Sequence, residues 1–201
     1  MKENDFKKIA ESLIDVFNLA GNESISLFKK GLKIEIKSDN SPVSNGDLKV
    51  NQLICDKIKV LTPDIPIISE ETVNLKEKNK FKIFWLIDPI DGTKEYIAGK
   101  SEYTLNAALI INQIPRIGIV GVPKKNQLFY SYGKNQSYLI QNNNIKKINC
   151  EKKTPKNEII AVSSVEKPSS EILNVFNANQ LSFSTNVAWV TNNGNLRVNS
   201  F

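Results

Sequence analysis

Five short apolar runs, Ile65 to Ile68, Phe81 to Ile87, Tyr103 to Ile111, Arg116 to Val122 and Leu128 to Tyr132, follow two helical stretches in this chain, and that order constrains the fold class. The turns between several of them, such as Asn112 to Pro115 and Pro123 to Gln127, are too short for a crossover helix, so most neighbouring strands are expected to pair antiparallel. Ahead of the strands, Phe6, Ile9, Leu13, Val16, Phe17 and Ala20 recur at three- and four-residue steps. That spacing predicts one helix from Asp5 to about Lys30, stopped by Gly31. A short strand near Leu32 to Ile36 comes next, then a polar loop from Lys37 to Gly46 bent at Ser41-Pro42. A second helix turns Val50, Leu53, Ile54, Ile58 and Leu61 inward and ends before Pro63. Helices preceding a largely antiparallel sheet predict an α+β fold, a layered α/β sandwich.

At 201 residues, 40% of them hydrophobic, the chain can bury a core for one domain or one and a half. The expected division is an N-terminal α+β unit over residues 1–150 and a partial or divergent C-terminal α/β unit over 151–201. In the latter, Ile159 to Val162 reads as a strand and Ser169 to Asn177 as a short helix, while the Asn/Ser-rich end shows no clear period. Cys55 and Cys150 lie far apart without metal-ligand spacing, which argues for reduced buried thiols rather than a disulfide framework or zinc site. No apolar stretch is long enough to span a bilayer, and no signal peptide opens the chain, so a cytoplasmic setting is expected. The net charge of +6 comes from scattered lysines without interleaved aromatics. That pattern suits a small polyanionic substrate and argues against a nucleic-acid partner. Histidine is absent, so catalysis has to rest on carboxylates, hydroxyls, lysines or hard metals.

Those groups concentrate in three places. In Trp85-Leu86-Ile87-Asp88-Pro89-Ile90-Asp91-Gly92-Thr93 an apolar strand runs into two acids separated by two residues. Pro89 fixes the backbone between the carboxylates, and Gly92 allows close approach of a ligand. Asp88, Asp91 and the carbonyl of Ile90 are oxygen donors of the kind Mg²⁺ takes, and the amides of Gly92 and Thr93 could hold a phosphate. Asp-Pro and Asp-Gly are also ordinary turn dipeptides. Glu70-Glu71 follows another strand-like run, and neighbouring strands would bring Glu70 to Asp88 and Asp91, a cluster best tolerated around a cation. Asp47, closing the loop Ser41 to Asp47, is either a first-turn helix acid or the group that orients Thr93 to help deprotonate a water.

Taken in order, Ser41 to Asp47, Ser69-Glu70-Glu71 and Asp88 to Thr93 resemble the inositol monophosphatase superfamily of magnesium-dependent phosphatases. The continuation Lys94-Glu95-Tyr96 with Glu102 to Asn106 is similar to its 3'(2'),5'-bisphosphate nucleotidase branch. The resemblance, over residues 5 to 132, implies Mg²⁺ held by Glu70, Asp88, the Ile90 carbonyl and Asp91. It implies a substrate phosphate met by Gly92 and Thr93 beside Glu70, Ile90 and Asp91. Asp47, Thr93 and Glu70 would carry the catalysis, with Asp47 and Thr93 positioning the attacking water, and Lys94 is a candidate for an extra charge facing phosphate. The expected reaction removes the 3'-phosphate of adenosine 3',5'-bisphosphate, with inositol or sugar monophosphates as the alternative substrates and a monomer or homodimer as the assembly.

The chain also departs from that pattern. The family's later Trp-Asp motif, a further metal ligand, has no counterpart: Trp189 is followed by Val190 and Thr191, and no aspartate occurs after Asp91. Val162 to Val165 only faintly echoes the nucleotide-contacting segment. The expectation is a fold whose second half is incomplete, through truncation, frameshift or degeneration, with impaired activity or an inactive phosphate-binding paralogue as the alternative outcome.

Overall fold

The computed structural model describes residues 3–72, 81–149, 188–190 and 196–198. The chain divides into two units, residues 1–149 and 150–201. In the second, Ala188–Val190 and Leu196–Val198 form an antiparallel pair with Trp189 opposite Arg197. The expected strand at Ile159, the helix at Ser169 and the Val162 to Val165 segment lie outside the described residues.

The first unit opens on α1 (Glu3–Ser12) and α2 (Ile14–Lys30), where one continuous helix was expected. The interruption is at Leu13, whose amide reaches back only three residues, to the Ala10 carbonyl at 3.2 Å, so the axis is free to bend there. Both pieces still bury one face: Ala10, Leu13, Phe17 and Ala20 are at most 2% exposed. Gly31 ends α2 as expected, in the positive-φ conformation that suits a residue lacking Cβ. The short strand expected near Leu32 to Ile36 is β1 (Ile34–Ile36), and the stretch after it, read as a loop, carries a second strand, β2 (Pro42–Ser44), which pairs antiparallel with β1. Three residues are too few to show a period, and β2 lies in a polar stretch, which is why the sequence concealed it. α3 (Asn45–Leu61) then starts directly from β2, with Val50, Ile54 and Ile58 fully buried.

Among the described residues the main sheet has seven strands in chain order, β3 (Ile67–Ser69), β4 (Ile83–Asp91), β5 (Thr104–Ile111), β6 (Ile114–Val122), β7 (Gln127–Ser131), β8 (Ser137–Gln141) and β9 (Asn144–Ile148). All neighbours are antiparallel except β3 and β4. The five apolar runs became β3 to β7. β8 and β9 were not read from the sequence because each is five residues long and lacks a buried–exposed alternation: β8 is half-buried from Ser137 to Ile140 and β9 is exposed from Asn144 to Lys147. Their trace is the Asn142-Asn143 turn, both residues at positive φ, as tight hairpin turns require.

Layering follows from one-sided burial. Along β5, Leu105, Ala107 and Leu109 are buried while Thr104, Asn106 and Ala108 between them are half-buried. The helices pack on the buried face, α3 against β4 and both α1 and α2 against β6. Trp85 sits at the centre without exposure, and its indole N–H donates to Thr62 Oγ1 at 3.0 Å, removing the cost of an unpaired donor.

Ile58 and Val60 lie on opposite sides of α3, the first at 0% and the second at 79% exposure. Ile58→Ala is expected to lower unfolding free energy by about 2–5 kcal/mol and Val60→Ala to change it by less than about 0.5 kcal/mol, read from denaturant titrations of the two variants.

Candidate functional site

The site is built where three chain segments end. The parallel pairing of β3 with β4 sets Ser69 opposite Ile87, and the Glu70 amide continues the ladder by donating to the Ile87 carbonyl at 3.1 Å. One step further along both strands stand Glu70 and Asp88, side by side at the same sheet end. Ser69 Oγ donates to Asn51 Oδ1 at 2.6 Å, tying this end to α3.

A bulge completes the arrangement. Asp88 pairs with Asn106 and Asp91 with Thr104, so three steps along β4 match two along β5. In a regular strand, residues three apart face opposite ways; the extra residue cancels that offset and lets both acids serve one side. Pro89 lies inside the irregularity, where its missing amide costs no ladder bond. Gly92 follows with φ +94°, and a Cβ there would stand 2.8 Å from the Glu102 carbonyl, so only glycine makes this turn. The turn starts a short helix, α4 (Thr93–Ile97).

Asp47 caps α3 and contacts Thr93 at once. Its Oδ2 accepts the Ser44 amide at 2.8 Å and the Ser44 hydroxyl at 2.6 Å, while Ser44 Oγ accepts the amides of Gly46 and Asp47, a reciprocal cap on α3. Its Oδ1 accepts from Thr93 Oγ1 at 3.0 Å, and the same hydroxyl lies 3.1 Å from the Ile90 carbonyl. Asp47 is fully buried, so the cap also serves to hold a carboxylate out of water against Thr93.

The electrostatics mark Asp88. Its Oδ1 is buried with no hydrogen-bond partner among the described residues, and an oxygen in that condition needs a donor or a cation. Burial, then the neighbouring charges of Glu70 and Asp91, push its carboxyl up to about 7. Glu71, raised by burial, is held by Lys37 at 2.9 Å; the same ammonium stands 3.6 Å from Glu70. Lys37 is a site neighbour that the sequence did not single out, because it sits in a polar stretch with no pattern of its own. Lys94 is exposed on α4.

Among the described residues no three acidic or thiol side chains already stand in a metal-coordinating set. Glu70 and Asp88 are within reach of one another, whereas Asp91 is exposed and acts on Asp88 through its charge. The donor chemistry nevertheless fits a hard divalent cation. All the donors are oxygens, one of them is buried and unpaired, and like charges crowd it.

This geometry has known counterparts. The model of the inositol monophosphatase family matches residues 5–190. The chain belongs to the inositol monophosphatase family. It is 40% identical over 101 residues to the 3'(2'),5'-bisphosphate nucleotidase CysQ of Escherichia coli O6:H1, an alignment covering 50% of this chain and 41% of the relative. Among solved structures it is similar to CysQ from Bacteroides thetaiotaomicron, with TM-score 0.65 and 25% identity over 85% of this chain and 67% of that one. The fold is also that of an IMPase/NADP phosphatase solved with Mg²⁺ and phosphate, at TM-score 0.62 and 17% identity, covering 78% of this chain and 57% of that one. The chain spans about half the length of the curated relatives it matches. The expected inositol monophosphatase-like α+β sandwich is therefore the fold observed, and the likeness to the nucleotidase branch read from the motifs holds. No helix among the described residues is long and apolar enough to cross a membrane.

The raised Asp88 carboxyl sets a pH dependence. The folded chain keeps its proton up to about 7, whereas the unfolded chain releases it near 3.8, so folding binds a proton in that window and stability falls as pH rises through it. Without divalent cations, the stability difference between the wild type and Asp88→Asn should shift against the wild type between about pH 4 and pH 7 and level off above it, as followed by thermal melts across a pH series. A difference that stays constant over that range would show that Asp88 is not crowded as described.

Proposed function

We propose that this chain is a Mg²⁺-dependent phosphomonoesterase that removes the 3'-phosphate of adenosine 3',5'-bisphosphate. The observation that carries the reading is the Thr93 hydroxyl, set 3.0 Å from the fully buried Asp47 at the sheet end where Glu70 and Asp88 meet. The likeness to CysQ proteins and the Lys94-Glu95-Tyr96 continuation support the substrate class.

Glu70, Asp88, Asp91 and the Ile90 carbonyl would hold the ions, and a bound divalent ion supplies Lewis acidity that eases deprotonation of water and offsets charge on phosphate oxygens. The chain's own part is positioning and proton handling. Ser44 occupies Asp47 Oδ2 with two donors, which leaves Oδ1 for Thr93. With its proton directed to Asp47, the Thr93 oxygen presents lone pairs to a water and orients it toward phosphorus. That water adds to phosphorus, the bond to the 3'-oxygen breaks, and the departing oxygen takes up a proton, giving inorganic phosphate and an alcohol. The Gly92 and Thr93 amides, at the bend only glycine can make, would receive the phosphate oxygens of the substrate and of the product.

A second reading, a protein that binds nucleotide without turnover, is favoured by one observation: Asp91 is exposed and acts on Asp88 through its charge, while Glu70 and Asp88 are within reach of one another. The two are separated by measuring inorganic phosphate release from adenosine 3',5'-bisphosphate with Mg²⁺ and with chelator. Release is expected only with Mg²⁺, abolished by Asp88→Asn and lowered about 10²- to 10⁴-fold by Asp47→Asn, which keeps the cap's shape but weakens its acceptor. Release from inositol monophosphate instead would move the substrate assignment. Calorimetric nucleotide binding with no release would establish the binding reading.

A further inference from the structure

α4 has only five residues, too few to be stable alone, yet it carries Thr93. Something outside the helix has to hold it, and the contact is Tyr96. One turn beyond Thr93, Tyr96 lies on the same face of α4, fully buried, and its hydroxyl donates to the Ser24 main-chain carbonyl on α2 at 2.7 Å. Ser24 is itself fixed, its hydroxyl donating to the Gly21 carbonyl at 2.7 Å and lying 2.9 Å from Tyr103 Oη. The Tyr96 ring is flanked by Tyr103 at 4.9 Å and Phe28 at 6.1 Å between centroids. It has no room to withdraw.

The opposite side of the ring meets the start of α3. A Cβ on Gly46 would fall 2.6 Å from Tyr96 Cε1 and 2.8 Å from Cζ, and it would collide with the hydroxyl as well. Gly46 immediately precedes Asp47. Two successive residues of α3 therefore meet two residues one turn apart on α4: Gly46 against Tyr96, and Asp47 against Thr93. One contact is steric and close, the other a single hydrogen bond. Burial raises the Tyr96 phenol, so it stays a neutral donor throughout the working pH range.

We infer that Tyr96 is a positioning residue whose phenol, clamped between Gly46 and the Ser24 carbonyl, sets the approach of the Thr93 hydroxyl to Asp47. This rests on the hydrolytic reading above. It explains why a tyrosine, rather than any apolar residue of similar size, stands at this point of the continuation. The ring supplies the spacing, and the hydroxyl supplies a directed anchor to a main-chain atom that no other side-chain change can remove.

Tyr96→Phe keeps the ring and removes the anchor. With Mg²⁺ and adenosine 3',5'-bisphosphate, kcat should fall about ten- to a hundredfold while KM stays within about threefold, because the ion contacts lie on other segments and the change displaces the Thr93 hydroxyl rather than the amides at the Gly92 bend. Tyr138→Phe is the structural control. It loses hydroxyl contacts to Tyr132 and Gln136 in the connection between β7 and β8 and should lower the melting temperature without changing kcat. In isotope-labelled protein, the Asp47 carboxyl carbon and Thr93 methyl resonances should shift in Tyr96→Phe and stay in place in Tyr138→Phe. Gly46→Ala should destabilise the fold, and adding Tyr96→Leu, which removes the colliding ring atoms, should restore folding but leave kcat as low as in Tyr96→Phe. Unchanged kcat and unmoved resonances in a folded Tyr96→Phe would overturn the inference, as would a loss matched by Tyr138→Phe. If the wild type releases no phosphate from any ester, the hydrolytic reading fails, and the two resonances alone then decide whether Tyr96 sets the Thr93 and Asp47 contact.

Discussion

The acids of this site are brought together by backbone pairing. A parallel ladder between β3 and β4 places Glu70 next to Asp88, and the Glu70 amide is itself a rung of that ladder. Hydrogen bonds between main chains leave the side chains no choice of neighbour, so the repulsion between the carboxylates cannot be relieved by moving the strands apart. It appears instead as an elevated Asp88 carboxyl and an unpaired buried oxygen. The bulge that follows on β4 adds Asp91 to the same side, and the glycine bend after it delivers Thr93 to Asp47. Displacing β3 by one residue would turn Glu70 to the opposite face and dissolve the arrangement.

Around that electrostatic tension the fold spends its strongest local structure. α3 begins with a reciprocal cap, and the acid of the cap is also the acceptor for Thr93. Helix stability and site geometry therefore rest on the same carboxylate, which makes Asp47 hard to replace on either account. Asn51, one turn on, receives Ser69 from the end of β3, so α3 is fixed both to the threonine and to the strand that carries Glu70. Lys37 lends a positive charge to Glu71 and Glu70 from the hairpin side. Each of the three segments is thus held to another by at least one short polar contact, and the apolar core under Trp85 supplies the rigid floor.

Much of this was legible in the residue order. Phe6 to Ala20 and Val50 to Leu61 showed their helices through spacing, and the five apolar runs gave β3 to β7, because core-facing residues have to recur with the period of the element that carries them. Elements that bury little leave no such record. β2 is three residues long and β8 and β9 show no buried–exposed alternation, so these strands are set by pairing with a neighbour across a short loop or a turn of two asparagines. The break at Leu13 is likewise invisible, since the apolar stripe continues across it. Glu70, Asp88, Asp91, Asp47 and Thr93 stood out because charge at strand and helix ends is chemically conspicuous. Lys37 did not, because an isolated lysine in a polar stretch is ordinary in one dimension, and Tyr96 was visible only as part of the Lys94-Glu95-Tyr96 continuation, with no role of its own.

Local order along the chain was therefore sufficient for the helical stripes and for β3 to β7, the oxygen donors at the strand ends, and the family likeness of the acid-bearing segments. Those properties depend on neighbours a few residues apart, and short-range patterns carry them in full. Which acid is buried, which oxygen lacks a partner, that Asp47 caps a helix and receives Thr93 at once, and that Tyr96 meets Gly46 were decided only when segments dozens of residues apart came into contact. Burial and hydrogen bonding across such separations are properties of the packed chain, because a carboxylate's proton affinity and a side chain's room to move depend on everything that surrounds it in space.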